Sequence, residues 1–263
     1  MEVPHVEDTT SRYEPEGVVV PDEVDPSSRR TLRRETTFVM LAFLFPAVAT
    51  AIVVLAQHVE QGGTYAIFPT IVRHDQVLNL LLGILDYLPV AAIVPLALYL
   101  LSRSGQPPGS LGLGLPRLGR DLGPGLGIAA ASYGAEVVLA LIIRPLLVNN
   151  KAVNVVSVGH VPGYYVLWGI TISLVTAVTE EVLVNGYLVT RLGQLGWGEW
   201  PTLLLSLTLR TTYHVYYGFG FLLTVPFGYF ATRSFQRHRR LNRAIAAHFI
   251  YDASIFALAI FVH

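Results

Sequence analysis

Seven apolar stretches follow one another along this chain, and polar segments separate most of them. A helix that crosses the hydrocarbon of a bilayer needs about 20 mostly apolar residues. The fifth and sixth stretches are short and only Gly218 lies between them, which predicts a tight hairpin or a partly re-entrant helix. The pattern predicts an all-α, polytopic integral membrane protein with about seven transmembrane helices, and six or eight remain alternatives. The predicted spans lie near 37–57, 77–101, 123–147, 163–189, 201–217, 219–233 and 244–262.

The beginning of the chain has a different pattern, because residues 1–28 are acidic, contain proline and lack an apolar run. No secretory signal peptide is visible in them. We interpret residues 1–35 as a disordered cytoplasmic tail and residues 36–263 as a helical membrane domain.

The distribution of Lys and Arg predicts how the helices are oriented. The outer loops of the seven-span arrangement hold only Arg73, Arg144 and Lys151. This asymmetry predicts a multi-pass protein of the cell membrane with its N-terminus in the cytoplasm and its C-terminus outside. The arginines of 233–243 are interpreted as a topology determinant that contacts lipid headgroups, and no nucleic-acid partner is expected. The segments on the inner side contain Arg29, Arg30, Arg33, Arg34, Arg103, Arg117, Arg120, Arg191 and the arginines of 233–243.

Composition agrees with a membrane protein, since 52% of the residues are hydrophobic and only 14% are charged. The mean hydropathy is +0.52. There is no cysteine, which excludes a disulfide framework, a thiol nucleophile and a thiolate metal site. The glycine-rich stretch 105–127 lacks the spacing of a phosphate-binding loop and is interpreted as a cytoplasmic loop.

A few ionisable side chains lie inside the predicted spans, where each costs at least about 2.5–3.5 kcal/mol near the bilayer centre. Such residues face the protein interior and are candidate functional groups. Three pairs are spaced i, i+4 and therefore share a helix face: Glu181 with Asn185, Arg210 with His214, and His248 with Asp252. The ionisable residues within the spans are Asp86, Glu136, Glu180, Glu181, Arg210, His214, His248 and Asp252.

Helix rise places Glu180 and Asp252 at a similar depth, about 13 Å from the cytoplasmic ends of their spans. One site could therefore gather Glu180, His214, His248 and Asp252. A carboxylate in a dry pocket can take a proton from water, and imidazoles can orient that water or stabilise an oxyanion. Two histidines and carboxylates also suit a divalent metal such as zinc with an open water position. Either chemistry predicts hydrolysis by an activated water.

Sequence motifs of other membrane hydrolases are absent: the chain has no H-E-x-x-H, no G-x-S-x-G and no G-x-G-D. Three motifs in order instead resemble the CPBP or ABI family of intramembrane metalloproteases, which includes the type II CAAX prenyl endopeptidases. The family pattern is E-E-x-x-x-R-G, then F-x-x-x-H, then H-x-x-x-[ND]. This chain has EEVLVNG at 180–186, RTTYH at 210–214 and HFIYD at 248–252, all within 163–263.

The resemblance implies a role for each matching residue. Glu180 would activate water with His214 as its partner, and Glu181 would support the site. His248 and Asp252 would stabilise the oxyanion or hold a metal, so that Glu180, His214, His248 and Asp252 are the possible metal ligands. The implied substrate is a membrane-associated or prenylated-type peptide, or a membrane protein, in contact with the lipid bilayer.

Two departures from the family pattern leave alternatives open, because Asn185 replaces the family arginine and Arg210 replaces the aromatic residue. We hypothesise that the guanidinium of Arg210 pairs with Glu180 or Glu181 in place of the missing arginine. The alternatives are a catalytically inactive scaffold or immunity-type protein of the same family, or a proton-coupled transporter. We also interpret Tyr213, Tyr216 and Tyr217 as part of an aromatic belt at the membrane interface.

Overall fold

The computed structural model describes residues 26–61, 75–148 and 165–261, and helices make up most of these ranges. The predicted tail therefore lies mainly outside the described residues. Its predicted boundary at residue 35 is wrong, because the first helix already begins at Pro26. In chain order the α-helices are α1 (Pro26–Gln61), α2 (Gln76–Ala91), α3 (Ile93–Arg103), α4 (Gly123–Ile142), α5 (Arg144–Val148), α6 (Tyr165–Glu180), α7 (Thr190–Gln194), α8 (Glu199–Thr212), α9 (Val225–His238) and α10 (Leu241–Phe261).

Two further helical segments shape the site. A π-helix, Glu181–Val189, connects α6 directly to α7. Neither Gly nor Pro stands at its start. A 3₁₀ segment, Val215–Thr224, joins α8 to α9 and is kinked at Gly218, whose φ of 55° and ψ of −137° lie outside the helical region. Glycine adopts such angles without a side-chain clash. The predicted turn at Gly218 is therefore present, and α8 packs against α9.

Among the described residues, four helical stretches are long and apolar enough to cross a membrane: Ser28–Ala56, Val77–Arg103, Leu118–Ile142 and Val166–Gln194. They correspond to the first four predicted spans. Their outer faces carry exposed apolar side chains such as Phe38 and Phe45, as expected for helices in lipid.

The predicted number of seven spans is not confirmed. α8 and α9 contain 14 residues each, which is about 21 Å of helix. This length is shorter than the hydrocarbon core of about 30 Å. The all-helical membrane class is confirmed, whereas the predicted orientation of the N-terminus stays a prediction.

The π-helix lies at the centre of the fold, and all nine of its residues are buried. It contacts α3, α6, α8 and α10. At its far end, Arg191 is also buried and donates to the carbonyl of Leu100 at 2.8 Å and to the hydroxyl of Ser104 at 2.8 Å. These bonds hold the segment that follows the π-helix against the end of α3.

Candidate active site

The two adjacent glutamates lie at the junction between α6 and the π-helix. α6 ends at Glu180 and the π-helix begins at Glu181. Glu181 is completely buried, whereas the side chain of Glu180 keeps 12% of its surface exposed and lines a cavity. π-segments inside α-helices frequently occur at functional sites, because they change the direction of side chains. Sequence neighbours thus acquire different environments.

Glu181 is held by donors from three other positions. Its Oε1 atom lies 2.9 Å from Nη1 of Arg210 and 2.8 Å from Nδ1 of His248. Its Oε2 atom accepts a hydrogen bond from the side-chain amide of Asn185. A buried carboxylate requires such compensation, because removing it from water without partners costs several kcal/mol. Glu181 therefore ties α8 and α10 to the central helix.

Arg210 joins the two glutamates, because its Nη1 atom also lies 3.3 Å from Oε2 of Glu180. The hypothesised pairing of Arg210 with the glutamates is therefore present, and it involves both of them. The guanidinium also lies over the ring of Phe227, with Cζ 5.6 Å from the ring centre. Arg210 is 2% exposed, so its charge acts in a dry environment.

Asn185, at the position of the family arginine, has a different set of partners. Its amide nitrogen donates to Glu181, and its Oδ1 accepts from the hydroxyl of Thr232 at 2.8 Å. Thr232 in turn lies 3.1 Å from the hydroxyl of Ser206. This chain of hydrogen bonds links the π-helix to α9 and α8, so Asn185 supports Glu181 as a neutral partner.

Glu180 has one occupied and one open carboxylate oxygen. Its Oε2 accepts a hydrogen bond from the hydroxyl of Tyr213 at 2.6 Å and another from Nη1 of Arg210 at 3.3 Å. Within the described ranges no hydrogen bond to its Oε1 is found. The open oxygen belongs to the glutamate that lines the cavity. A carboxylate with this arrangement can accept a proton from a water in the cavity.

Tyr213 was not predicted to belong to the site, and its assignment to an interfacial belt is wrong. The residue is 6% exposed, binds Glu180 and packs edge-on against Phe43 at 5.6 Å between ring centres. Tyr216 and Tyr217 are partly buried and line the same cavity as Glu180. The only sequence signal for Tyr213 is its position one residue before His214.

His214 faces the cavity with a defined tautomer. Its Nδ1 atom lies 2.9 Å from the backbone carbonyl of Arg210, one turn earlier. A carbonyl only accepts hydrogen bonds, so Nδ1 carries the proton and Nε2 of the neutral ring has the lone pair. Within the described residues no hydrogen bond joins His214 directly to Glu180. Both side chains line the same cavity, so a molecule in the cavity can contact both of them.

His248 lies between two carboxylates. Its Nδ1 atom is 2.8 Å from Glu181, and its Nε2 atom is 3.5 Å from Oδ2 of Asp252 one turn further along α10. Phe227 packs against the ring at 4.8 Å between centres. The orientation of His248 is therefore fixed from both sides.

A cavity of about 330 Å³ brings four of the predicted residues together: Glu180, His214, His248 and Asp252 all line it. Glu181, Arg210 and Asn185 lie behind this wall and do not line it. The remaining wall includes Ala47 and Ala51 of α1, together with Trp168 and Phe256 near the far ends of α6 and α10. Helix α1 thus completes a site whose chemical groups come from the end of α6, from the residues that follow α8, and from α10.

Several of the possible metal ligands contact other charged side chains in this arrangement. In the part of the chain that the structure describes, no three His, Asp or Glu side chains are grouped so that they could hold a metal ion. Both nitrogens of His248 face carboxylates, and the guanidinium of Arg210 already contacts both Glu180 and Glu181. A second cation bound to the same glutamates would be repelled by Arg210. Several of the donors expected for zinc therefore already have partners within the protein.

Two ionisable residues of the predicted spans, Asp86 and Glu136, belong to no motif and lie away from the cavity. Asp86 is exposed on α2, whereas Glu136 accepts a hydrogen bond from the hydroxyl of Tyr251 and so connects α4 to α10. Tyr251 precedes Asp252 directly, which makes Glu136 a support for α10.

Comparison with known proteins gives one family match. Residues 162–254 match the family described as type II CAAX prenyl endopeptidase Rce1-like. No curated protein and no solved structure matches the chain. The matched range includes Glu180, His214, His248 and Asp252, and it agrees with the family that the three motifs indicate. Residues 162–254 of this helical membrane protein therefore match the Rce1-like family model and are similar to the CAAX-type proteases over that range.

Proposed function

We propose that this chain is an intramembrane endopeptidase of the CAAX type, which hydrolyses a peptide bond of a membrane-associated or prenylated-type peptide. The observation that carries the proposal is the open Oε1 of Glu180 on a cavity that His214, His248 and Asp252 also line. The family match over residues 162–254 supports the class of reaction.

In the first step, a water in the cavity hydrogen-bonds to Oε1 of Glu180 and to Nε2 of His214. Glu180 takes a proton from this water while the water oxygen attacks the peptide carbonyl. The bond formed is that between the water oxygen and the carbonyl carbon, and the carbonyl oxygen becomes an oxyanion. Arg210 and Tyr213 hold Oε2 of Glu180, so the proton goes to the free oxygen.

The second step breaks the carbon–nitrogen bond of the tetrahedral intermediate. Nε2–H of His248 faces Asp252 at 3.5 Å without a hydrogen bond to it, so it donates to the oxyanion while Nδ1 stays bound to Glu181. An ionised carboxylate only accepts hydrogen bonds, so Asp252 acts through His248 and not on the oxyanion itself. The protonated Glu180 then gives its proton to the leaving amine, which restores the starting carboxylate.

This mechanism routes no step through a metal. Arg210 supplies a fixed positive charge next to both glutamates, which is one of the effects that a metal ion provides in metalloproteases. We expect a chelator to change the activity less than about twofold at equal ionic strength. Inactivation by the chelator that only an added divalent ion reverses would contradict this part of the proposal.

The test of the reaction uses the full-length protein in nanodiscs with quenched fluorescent peptides, some carrying a C-terminal prenyl group and some without one. Glu180→Gln removes the base at nearly constant volume, and we expect turnover to fall by about 10²–10⁴-fold. His214→Gln should also reduce turnover. Asp86→Asn, an exposed acid of α2, is the matched control and should leave turnover unchanged. Equal turnover by wild type and Glu180→Gln would rule out the mechanism.

The second candidate is a catalytically inactive scaffold or immunity-type protein, which the replacement of the family arginine by Asn185 favours. The contacts of Arg210 with both glutamates weigh against it, because they supply a guanidinium to the same carboxylates. A correctly folded protein that cleaves neither class of peptide would support the scaffold. A proton-coupled transporter would instead carry protons into liposomes in a manner that Glu180→Gln abolishes.

A further inference from the structure

A second cavity, of about 360 Å³, lies on the outside of the helical bundle between α4 and α9. It shares no lining residue with the candidate active site. One side is formed by Gly127, Ile128 and Ala131 of α4, and the opposite side includes Phe230 of α9. We refer to this cavity as the α4–α9 groove.

The α4–α9 groove is apolar along α4, and α4 belongs to a stretch long and apolar enough to cross a membrane. A Cβ atom added at Gly127 would meet no other atom within 4 Å, so the groove is open at this position. An open apolar groove along a membrane helix is in contact with lipid chains. Its apolar part therefore suits a hydrocarbon chain.

The other end of the α4–α9 groove is cationic. Arg233, Arg237 and His238 line it at the C-terminal end of α9. Arg233 is paired with Glu199 at 2.6 Å, whereas Arg237 is exposed and has no hydrogen bond or ion pair with any described residue. Burial and the positive charges of Arg243 and Arg237 lower the pKa of His238. Among the described residues, no carboxylate pairs with Arg237. This end of the groove therefore has a positive electrostatic potential.

We propose that the α4–α9 groove binds an anionic glycerophospholipid of the surrounding bilayer. Its phosphate would contact Arg237 and His238, and one acyl chain would lie along Gly127 and Ala131. The ligand must be amphiphilic and negatively charged at one end only, since the groove is cationic at one end and apolar along its length. Basic pockets between membrane helices bind anionic headgroups for this reason. The proposal is independent of the proposed peptidase activity.

The test measures binding of short-chain phosphatidylglycerol to the full-length protein in a neutral detergent by native mass spectrometry. Arg237→Gln removes the unpaired charge, and we expect binding to weaken about fivefold. Gly127→Leu fills the apolar part, where there is room for the side chain, and should weaken binding about three- to tenfold. Helical circular dichroism should be unchanged for both variants.

Two matched controls isolate the groove. Arg103→Gln removes another exposed arginine, and Gly134→Leu fills open space two turns further along α4; neither residue lines the groove. Both controls should bind phosphatidylglycerol like the wild type, and phosphatidylcholine should bind more weakly to every variant. Equal binding to all five proteins would overturn the proposal. Inorganic phosphate alone, if it bound as tightly as the lipid, would also overturn it, because the acyl groove would then contribute nothing.

Discussion

At the scale of single residues, adjacent side chains of the same type have separate tasks. Glu180 and Glu181 share the nitrogen Nη1 of Arg210, yet only Glu180 lines the cavity. Glu181 also binds Asn185 and His248, so its hydrogen-bonding capacity is used within the protein. We therefore interpret Glu181 as the structural member of the pair and Glu180 as the proposed base.

The first prediction at the residue scale tests whether Arg210 supplies the charge that the family arginine would supply at position 185. Arg210→Leu leaves Glu181 buried with fewer partners and should lower the free energy of unfolding by about 3–5 kcal/mol. Asn185→Arg in the same protein restores a guanidinium one turn from Glu181, and we expect it to recover part of this loss. Thermal unfolding in detergent measures both. Arg144→Leu, an exposed residue of α5, is the control, and a double variant less stable than Arg210→Leu would refute the relocation.

The second prediction concerns the hydroxyl group of Tyr213. Tyr213→Phe removes the 2.6 Å hydrogen bond to Oε2 of Glu180 and keeps the packing against Phe43. A hydrogen bond to a charged group contributes about 1.5–3 kcal/mol, so kcat should fall about 10- to 100-fold. KM should stay nearly constant, since Glu180 acts in the chemical step. Tyr99→Phe, on the exposed face of α3, is the control; a change in KM alone would show that Tyr213 only shapes the cavity.

At the scale of elements, the close approach of α9 to α8 decides where Arg210 lies. Gly228 of α9 permits this approach, because a Cβ atom there would come within 2.8 Å of Leu207 and 3.1 Å of Cδ of Arg210. A sequence pattern does not indicate such a contact, since the glycine lies in an ordinary helical conformation. The π-helix is equally invisible in sequence, because its residues are mostly apolar and show no clear periodicity.

Gly228→Ala tests this element contact. The added methyl group should displace Leu207 and Arg210, lower the free energy of unfolding by about 1–3 kcal/mol and reduce turnover. Gly134→Ala is the matched helical control with open space around the new Cβ atom, and it should stabilise the protein by about 0.5–1 kcal/mol. Unfolding by heat, followed by circular dichroism, distinguishes the two. Equal stability of both variants would contradict the role assigned to Gly228.

At the scale of the whole molecule, the candidate active site is completed by a helix far from the motifs in sequence. α1 lines the cavity through Ala47 and Ala51, although the family match covers only residues 162–254. α1 also contacts the 3₁₀ segment that follows His214. The first part of the chain therefore contributes to the volume and shape of the cavity in addition to membrane anchoring.

Narrowing the cavity from α1 tests this contribution. Ala47→Phe places an aromatic ring in the cavity, and we expect kcat/KM to fall at least about tenfold because the peptide is excluded. Val53→Phe adds the same ring on an exposed part of α1 and should have no effect on turnover. Unfolding temperatures of both variants separate exclusion of substrate from misfolding. Unchanged kcat/KM in a folded Ala47→Phe protein would show that the substrate does not occupy this part of the cavity.

The sequence by itself determined the helical membrane class, because a bilayer accepts only long apolar helices. It also proposed Glu180, His214, His248 and Asp252 as site residues, because ionisable side chains inside spans are costly and because they stand in three motifs that resemble one family. It also indicated that Arg210 would compensate for Asn185. Only the tertiary structure decided that Arg210 contacts both glutamates, that Tyr213 binds Glu180, and that both nitrogens of His248 face carboxylates. These features depend on the π-helix and on distances between helices, which arise when side chains from separate segments pack together.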